Sequence, residues 1–471
     1  LKTHRNKFKR VAIILAAVVF LLLLFAYSYL ALRKYNAYRN TVHGDANFII
    51  KVDADQLYCS MALDYLGNPS FYRGKNVKST ESGLSIPAQF FVYTVKSKSA
   101  QTYFCAMPVA DTLLLRKFVR QKLGVSALKN MGQYVSGKSA NGRLTIAFNA
   151  NTFAIGYSFK RENVEDIIAD LINGENMLSD KDQKLVKLKA LKSHLAYVFD
   201  DYMGTGDFKD GQLHIEGDFN LSGFTINEKT FSHRVFDKDA AVKMWLNVKP
   251  SLNERFGGIK VKDYELYPDS LLKYCNSYFD LEMGNPVSQT DTVITYLYND
   301  DFEKEETITS RIEEVPGINS VVSGNATGLF NYLSAANMVK GDVVNKEFFP
   351  LYKLYLKRKE NELVLSTNQH VFVSDARENT PYFFYLDADF DKLKSQGQFT
   401  LFEKYITQLN RLIIKAVPER TEKAGHIENG ENGENAENVG RTKDGSGFKR
   451  NHFEIDLYFK RKDVNALGQL R

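Results

Sequence analysis

The string Gly132-Gln133-Tyr134-Val135-Ser136-Gly137-Lys138-Ser139 has the spacing of a phosphate-binding loop, G-x-x-x-x-G-K-[ST]. In such a loop the glycines let backbone N–H groups wrap the phosphates, and the following helix turns its positive end toward them. Leu195 to Phe199, followed by Asp200 and Asp201, resembles the apolar strand and acid that would help hold Mg²⁺. The context argues against both. Ser139 leads through Ala-Asn-Gly-Arg, a turn before a strand, where the mechanism requires a helix, and the segment before Gly132 reads as the end of a helix rather than a buried strand. The string is therefore read as a Gly/Ser turn with a solvated lysine, and the two aspartates as strand-end or loop acids.

Asp387, Asp389 and Asp391 alternate like the acids of a Ca²⁺ loop, but Lys392 stands where the tight-turn glycine belongs and Gln398 where the bidentate glutamate belongs. Helix capping and compensation of the helix dipole account for them, and for Asp53 and Asp55. The eight histidines, at 4, 43, 194, 214, 233, 370, 426 and 452, form no H-x-x-x-H, H-E-x-x-H or Cys/His pair. No G-x-S-x-G elbow occurs, and spacing alone assembles no Ser/His/Asp triad. Asp300, Asp301, Glu303, Glu305 and Glu306 read as the acidic start of a helix rather than the two separated carboxylates of a glycosidase. Catalytic residues are thus left unassigned, and no cofactor or metal ligand set is expected. The aromatic runs at 90–95, 277–283 and 379–387 suit strands and cores, with an apolar groove as the alternative.

One segment fixes where such a body would live. Val11 to Leu32 is 22 residues without a charge, and a helix of that length reaches roughly 33 Å, enough for a hydrocarbon core of roughly 30 Å. Lys2, Arg5, Lys7, Lys9 and Arg10 precede it, whereas Arg33, Lys34 and Arg39 follow. By the positive-inside rule, residues 1–10 form a cytoplasmic basic tail, 11–32 a single-pass signal anchor, and the rest a periplasmic or extracellular ectodomain. The run is too long for the apolar core of a cleaved signal peptide.

Of the 62 Lys and Arg residues, eight lie within residues 1–39, which hold no Asp or Glu. The overall charge of +6 therefore belongs to the anchor flanks, and the nearly neutral body gives a nucleic-acid partner no basic face. The length beyond the anchor calls for two domains. Three cysteines, Cys59, Cys105 and Cys275, are too few for a disulfide scaffold and read mainly as buried thiols, with a Cys59–Cys105 bridge left open.

Phe48 to Leu57 (FIIKVDADQL) and Phe384 to Leu393 (FYLDADFDKL) both run from an apolar strand through Asp-Ala-Asp into a helix start. YSFKRENV at 157–164 and YFKRKDV at 458–464 both end a strand at Phe-Lys-Arg, with an Asn or Asp at an N-cap position. The repeated order predicts an internal duplication: two related α+β lobes, 45–235 and 240–471, each of mainly antiparallel sheet with flanking helices, joined near Lys238. Helices are predicted at 111–122, 162–173, 181–193, 269–279, 302–314 and 399–416. Strands are predicted at 143–149, 151–159, 212–220, 293–299, 353–359, 362–367 and 453–459. Residues 419–450, with the polar repeat ENGENGENAENV, are expected to be a disordered insertion.

This layout resembles that of uncharacterised anchored envelope proteins of Gram-negative bacteria, and is loosely similar to AsmA-type envelope proteins. The latter resemblance implies a β-rich body associated with lipid transport; no motif carries residues over. The expectation is a protein of the inner membrane that binds or scaffolds a protein partner without catalysis. The alternatives are a carrier of lipid or another apolar ligand, and a hydrolase whose site is dispersed in the sequence.

Overall fold

The computed structural model describes residues 24, 28–29, 31–38, 41–73, 81–221, 223–226, 230–251, 259–261, 264–298, 304–370, 373–397, 406–418 and 450–470. Nearly all of the expected tail, anchor and 419–450 insertion lies outside them. Among the described residues no helix is long and apolar enough to cross a membrane. The chain is mixed α+β with extensive antiparallel sheet. It divides into two compact units between Phe208 and Lys209, ahead of the expected join near Lys238.

The first unit runs β1 (Ala46–Asp53), α1 (Ala54–Gly67), α2 (Pro69–Tyr72), β2 (Gln89–Val95), β3 (Thr102–Pro108) and α3 (Thr112–Gln121). It continues with β4 (Leu128–Asn130), β5 (Val135–Lys138), β6 (Leu144–Phe148), β7 (Thr152–Ser158), α4 (Glu165–Asn173), α5 (Gln183–Ala190), β8 (Leu195–Phe199) and β9 (Tyr202–Lys209). Hydrogen bonding orders the strands β4-β5-β6-β7-β3-β2-β1-β8-β9, antiparallel throughout.

Successive strand residues face opposite ways, and here both faces are covered. Ile146 and Phe153 pack with Leu115 and Val119 of α3, whereas their neighbours Ala147 and Ala154 join Ile168 and Leu171 of α4 and Leu185 and Leu188 of α5. That is why β6 and β7 are almost continuously apolar rather than alternating. The α3 helix starts where Asp111 accepts the Leu113 and Leu114 N–H groups.

Strand β1 carries two charges on the face that also presents Ile49. Lys51 is 1% and Asp53 3% exposed. Lys51 Nζ donates to the carbonyls of Leu188, at 2.9 Å, and Leu191, capping the C-terminal end of α5. Asp53 accepts the Gln56 N–H at 3.0 Å, starting α1, and Gln89 Nε2 at 2.6 Å. A cation thus meets orphan carbonyls, and an anion meets orphan N–H groups.

The second unit runs β10 (Gln212–Phe219), β11 (Phe224–Thr225), β12 (Phe231–Arg234), β13 (Val242–Asn247), β14 (Lys249–Pro250), β15 (Ile259–Val261), β16 (Tyr264–Leu266) and α6 (Pro268–Leu272). The hairpin β17 (Cys275–Tyr298) and β18 (Lys304–Gly324) leads to α7 (Ala326–Ala335), β19 (Val339–Lys340), β20 (Val343–Val344), β21 (Tyr355–Arg358) and β22 (Glu362–Ser366). The chain closes with β23 (Arg377–Thr380), β24 (Phe384–Asp389), α8 (Phe390–Ser395), β25 (Leu409–Pro418), β26 (Asn451–Phe459) and α9 (Ala466–Gln469). Its main sheet is ordered β10-β26-β25-β24-β13-β17-β18-β22-β21-β20-β19.

One connectivity occurs twice. The chain of pairings β9-β8-β1-β2-β3-β7-β6-β5-β4 in the first unit is matched by β25-β24-β13-β17-β18-β22-β21-β20-β19 in the second, with α3 and α7 at the same point after the central hairpin. The repeated sequence words do not mark it. FIIKVDADQL is β1, whereas FYLDADFDKL is β24, whose topological counterpart is β8. What the words share is local: Asp53 and Asp389 both cap helices. The cap after β26 is Asn465, while Asn163 receives the Glu165 N–H.

Three expected helices are corrected. Residues 304–314 belong to β18, 409–416 to β25, and 269–279 split between α6 and the start of β17. In the first case the acids at 303–306 suggested a helix end, but TITSRI is a β-branched alternating run that pairs residue for residue with β17. From Val287 and Val315 outward, β17 and β18 form a ribbon hydrogen-bonded to each other. Helix α7, which the sequence reading missed, begins where Asn325 accepts the Gly328 N–H.

The second unit buries a charged cluster in its core. Buried Arg234 binds Asp280 through Nε and Nη2, at 2.9 and 3.1 Å, and Glu282 through Nη1 at 2.6 Å. Tyr278 Oη donates to the same aspartate at 2.7 Å. Burial opposes the guanidinium charge, yet these two carboxylates raise its pKa above the ordinary value. Alongside, the single tryptophan, Trp245, is stacked between His233 and Tyr385, with ring centroids 3.9 and 4.4 Å away.

Burial holds the Lys51 pKa below 10.5, against the pull of Asp53 and with a push from Lys34. The native state therefore releases this proton before the unfolded chain does, and stability gains from rising pH between the native pKa and 10.5. Lys51→Met should lower the stability of the first unit by about 1–3 kcal/mol, read from hydrogen exchange of its amides in denaturant. The wild-type margin over the variant should widen as pH climbs through that interval; a margin independent of pH would contradict a buried ammonium here.

Candidate functional site

The first unit holds a cavity of about 540 Å³ beside residues 31–38, a helical stretch that ends in a turn at position 38. Lys34, Tyr35 and Tyr38 line it from that segment, Asp53 and Gln56 from the β1–α1 junction, Gln89 from β2, and Lys189, Leu191 and Lys192 from the end of α5 and beyond. Strand pairing places Gln89 opposite Asp53. Gln89 also lines a second cavity, of about 410 Å³. Its amide nitrogen is committed to Asp53, but its Oε1 is buried with no hydrogen-bond partner among the described residues.

The charges around the larger cavity are unevenly committed. Lys189 Nζ donates to the Asp180 carbonyl at 2.8 Å and lies 4.7 Å from the centroid of the Tyr38 ring. Burial first, and Asp53 second, push the Tyr38 phenol upward, so it stays a neutral donor. Asp53 already accepts two hydrogen bonds. Lys34 and Lys192 make no ion pair among the described residues, and neither does the carboxylate of Asp180, which also lines the cavity, so the site offers two free ammonium groups and one free carboxylate beside aromatic and aliphatic surface. Such a lining suits an anionic group attached to an apolar body.

One turn along α1 from Gln56, the structure brings together residues that the sequence kept apart. Ser60 Oγ lies 2.7 Å from His194 Nε2, and His194 Nδ1 lies 2.8 Å from Asp207 Oδ1. With the proton on Nδ1, the aspartate orients the ring and Nε2 accepts from the serine, the arrangement of a nucleophilic triad. Two features weigh against acyl transfer. Ser60 sits inside α1, where its backbone N–H is used by the helix and supplies no oxyanion donor. Neither Ser60 nor His194 lines a cavity described above. The trio instead ties α1 to the β8–β9 hairpin. No local motif could reveal it, because 134 residues separate Ser60 from His194.

The other candidate residues disperse. Residues 135–138 of the phosphate-loop string are strand β5, preceded by β4 rather than a helix and followed by the turn into β6. Asp200 and Asp201 occupy the β8–β9 turn. Asp387 forms a bidentate pair with Arg411, at 2.7 and 2.6 Å, Asp389 caps α8, and Asp391 meets Lys460 at 3.1 Å. His43, His214 and His452 each contact a different aspartate, Asp170, Asp456 and Asp218. Among the described residues no group of three or more His, Cys, Asp or Glu is placed to hold a metal ion. His4, His426, Asp300, Asp301 and Glu303 lie outside those residues. The aromatic runs supply core: Phe91, Tyr93, Tyr278 and Phe383 are buried. All three cysteines are free; Cys59 is exposed, and burial pushes the Cys105 thiol up to about 12.

No family model and no curated protein matches the chain. Among solved structures, crystal form I of TP0453 is similar over 40% of this chain and 79% of that one, with 10% identity and a TM-score of 0.25. Crystal form III is similar over 69% and 90%, with 8% identity and a TM-score of 0.22. Likeness at this level assigns neither fold nor function.

If Ser60 is a tether, a serine-directed fluorophosphonate should leave it unmodified, and Ser60→Ala should cost about 1 kcal/mol of stability. A covalent adduct on Ser60 that disappears in His194→Gln would establish a nucleophile instead.

Proposed function

We propose that this chain is a single-pass, membrane-anchored envelope protein that binds a partner through its first unit rather than catalysing a reaction. The uncharged run Val11 to Leu32 supports the anchor, and the excess of basic residues before it supports a cytoplasmic N-terminus with the body in the periplasm. The observation that carries the binding reading is the cavity bounded by Lys34, Lys192 and the unpartnered Gln89 carbonyl oxygen. Its lysines would take an anionic group, and Gln89 Oε1 would take a donor from the same molecule. Tyr35 and Leu191 would cover an apolar portion.

Two measurements test the halves of this reading separately. With Cys59 and Cys275 replaced by Ser, Asp201→Cys in the exposed β8–β9 turn should react with a membrane-impermeant maleimide from the periplasmic side of intact cells. Reaction only after lysis would place the body in the cytoplasm. Full-length protein captured from native membranes should enrich a lipid or peptide, identified by mass spectrometry. Lys34→Glu combined with Lys192→Glu should reduce that enrichment at least tenfold; equal recovery would remove the cavity from the function.

A further inference from the structure

Helix α1 is built inside out. Its fully buried side chains are Ala54 and Asp64, whereas Tyr58, Leu63 and Leu66 are 57%, 72% and 75% exposed. At 3.6 residues per turn, Tyr65, Tyr58, Ala62, Leu66, Cys59 and Leu63 occupy one arc of roughly 160°, and every one of them is exposed. Of its two acids, Asp64 is turned away from this arc, whereas Asp55 falls within it at the N-terminal end of the helix, where a cation neutralises it. Asp64 is bonded by Asn68 Nδ2 at 2.8 Å and by the Tyr72 hydroxyl, while Asp55 is paired with Arg33 at 3.0 Å. The helix contains no Lys, Arg or Glu.

What would cover this face follows from where the helix begins. Arg33 is the first charged residue after the uncharged run, and it bonds both Asp55 in the first turn of α1 and the Ile86 carbonyl, at 2.8 Å. The start of α1 is therefore one side chain away from the point at which the chain would leave the bilayer. A helix of 14 residues extends roughly 21 Å from there. A water-facing arc of Tyr and Leu leaves apolar surface in contact with water at a free-energy cost, which the adjacent lipid interface removes. We propose that the outward face of α1 lies in the lipid interface of the membrane that holds the anchor, fixing the first unit against that surface as a second, interfacial contact. This rests on the anchor reading above, and the experiment separates the two.

The native thiol of Cys59 lies on the arc and accepts a nitroxide label in full-length protein carrying Cys275→Ser; Cys105 is buried and unreactive. In vesicles of phosphatidylethanolamine and phosphatidylglycerol, the ratio of oxygen to nickel-chelate collision at Cys59 should be severalfold above that of a label at Asp201→Cys in a Cys59→Ser background. Leu63→Asp with Leu66→Asp should bring the Cys59 ratio down to the solvent value while circular dichroism is unchanged. A label at Val18→Cys in the same Cys59→Ser background reports the anchor. Lipid at position 18 with water at Cys59, or shielding of Cys59 from both reagents as under a protein partner, overturns this inference alone. Water at position 18 overturns the anchor and this inference with it.

Discussion

Two opposite charges buried on one strand organise the first unit. Lys51 and Asp53 stand two residues apart, on the face of β1 that would otherwise continue the apolar stripe begun by Ile49. An ammonium or a carboxylate in that position is tolerated only if it is bonded, and here each finds the end of a helix whose dipole has the matching sign. The strand thereby dictates where α5 stops and where α1 starts. Because both junctions border the larger cavity, its shape and its charge follow from the same pair. Gln89, drawn to Asp53, is left with a buried oxygen that the fold does not use.

Much of this architecture is written locally. The helices at 112–121, 165–173 and 183–190 follow from apolar periodicity and capping residues. The hairpin of β6 and β7 follows from its bracketing Asn residues. The failures have a common origin. Residues 304–314 and 409–416 read as helix by residue type, whereas partner strands decide their conformation. The capping role of Asp53 and Asp389 was visible in the sequence. The meeting of Ser60, His194 and Asp207, and the convergence of Lys34, Gln89 and Lys192, were not, since each set is assembled by sheet order from segments far apart in the chain.

The doubled connectivity sharpens this contrast. Nine strands and a helix recur in the same pairing scheme, yet the matching words in the sequence fall on non-equivalent strands. Pairing order is preserved by which strands are buried beside each other, and many apolar residues satisfy that requirement equally well. The buried charges are not doubled. The second unit uses Arg234, Asp280 and Glu282, contributed by β12 and the first third of β17, where the first uses Lys51 and Asp53 at the end of β1. Similar frames have thus been furnished with different polar interiors, and the cavity lined by Lys34, Gln89 and Lys192 belongs to one of them.

The long ribbon made by β17 and β18 has an implication for how molecules meet one another. Past Val287 and Val315 each of its strands pairs with the other, and among the described residues no third strand joins either one there, while Ile308 and Ile312 are exposed. Such a surface is a template for intermolecular strand addition. Arg311, between those isoleucines, and Glu313 and Glu314, directly after them, act as gatekeepers: two ribbons brought side by side would have to bury or juxtapose their charges. At high concentration that electrostatic guard becomes a condition of colloidal survival.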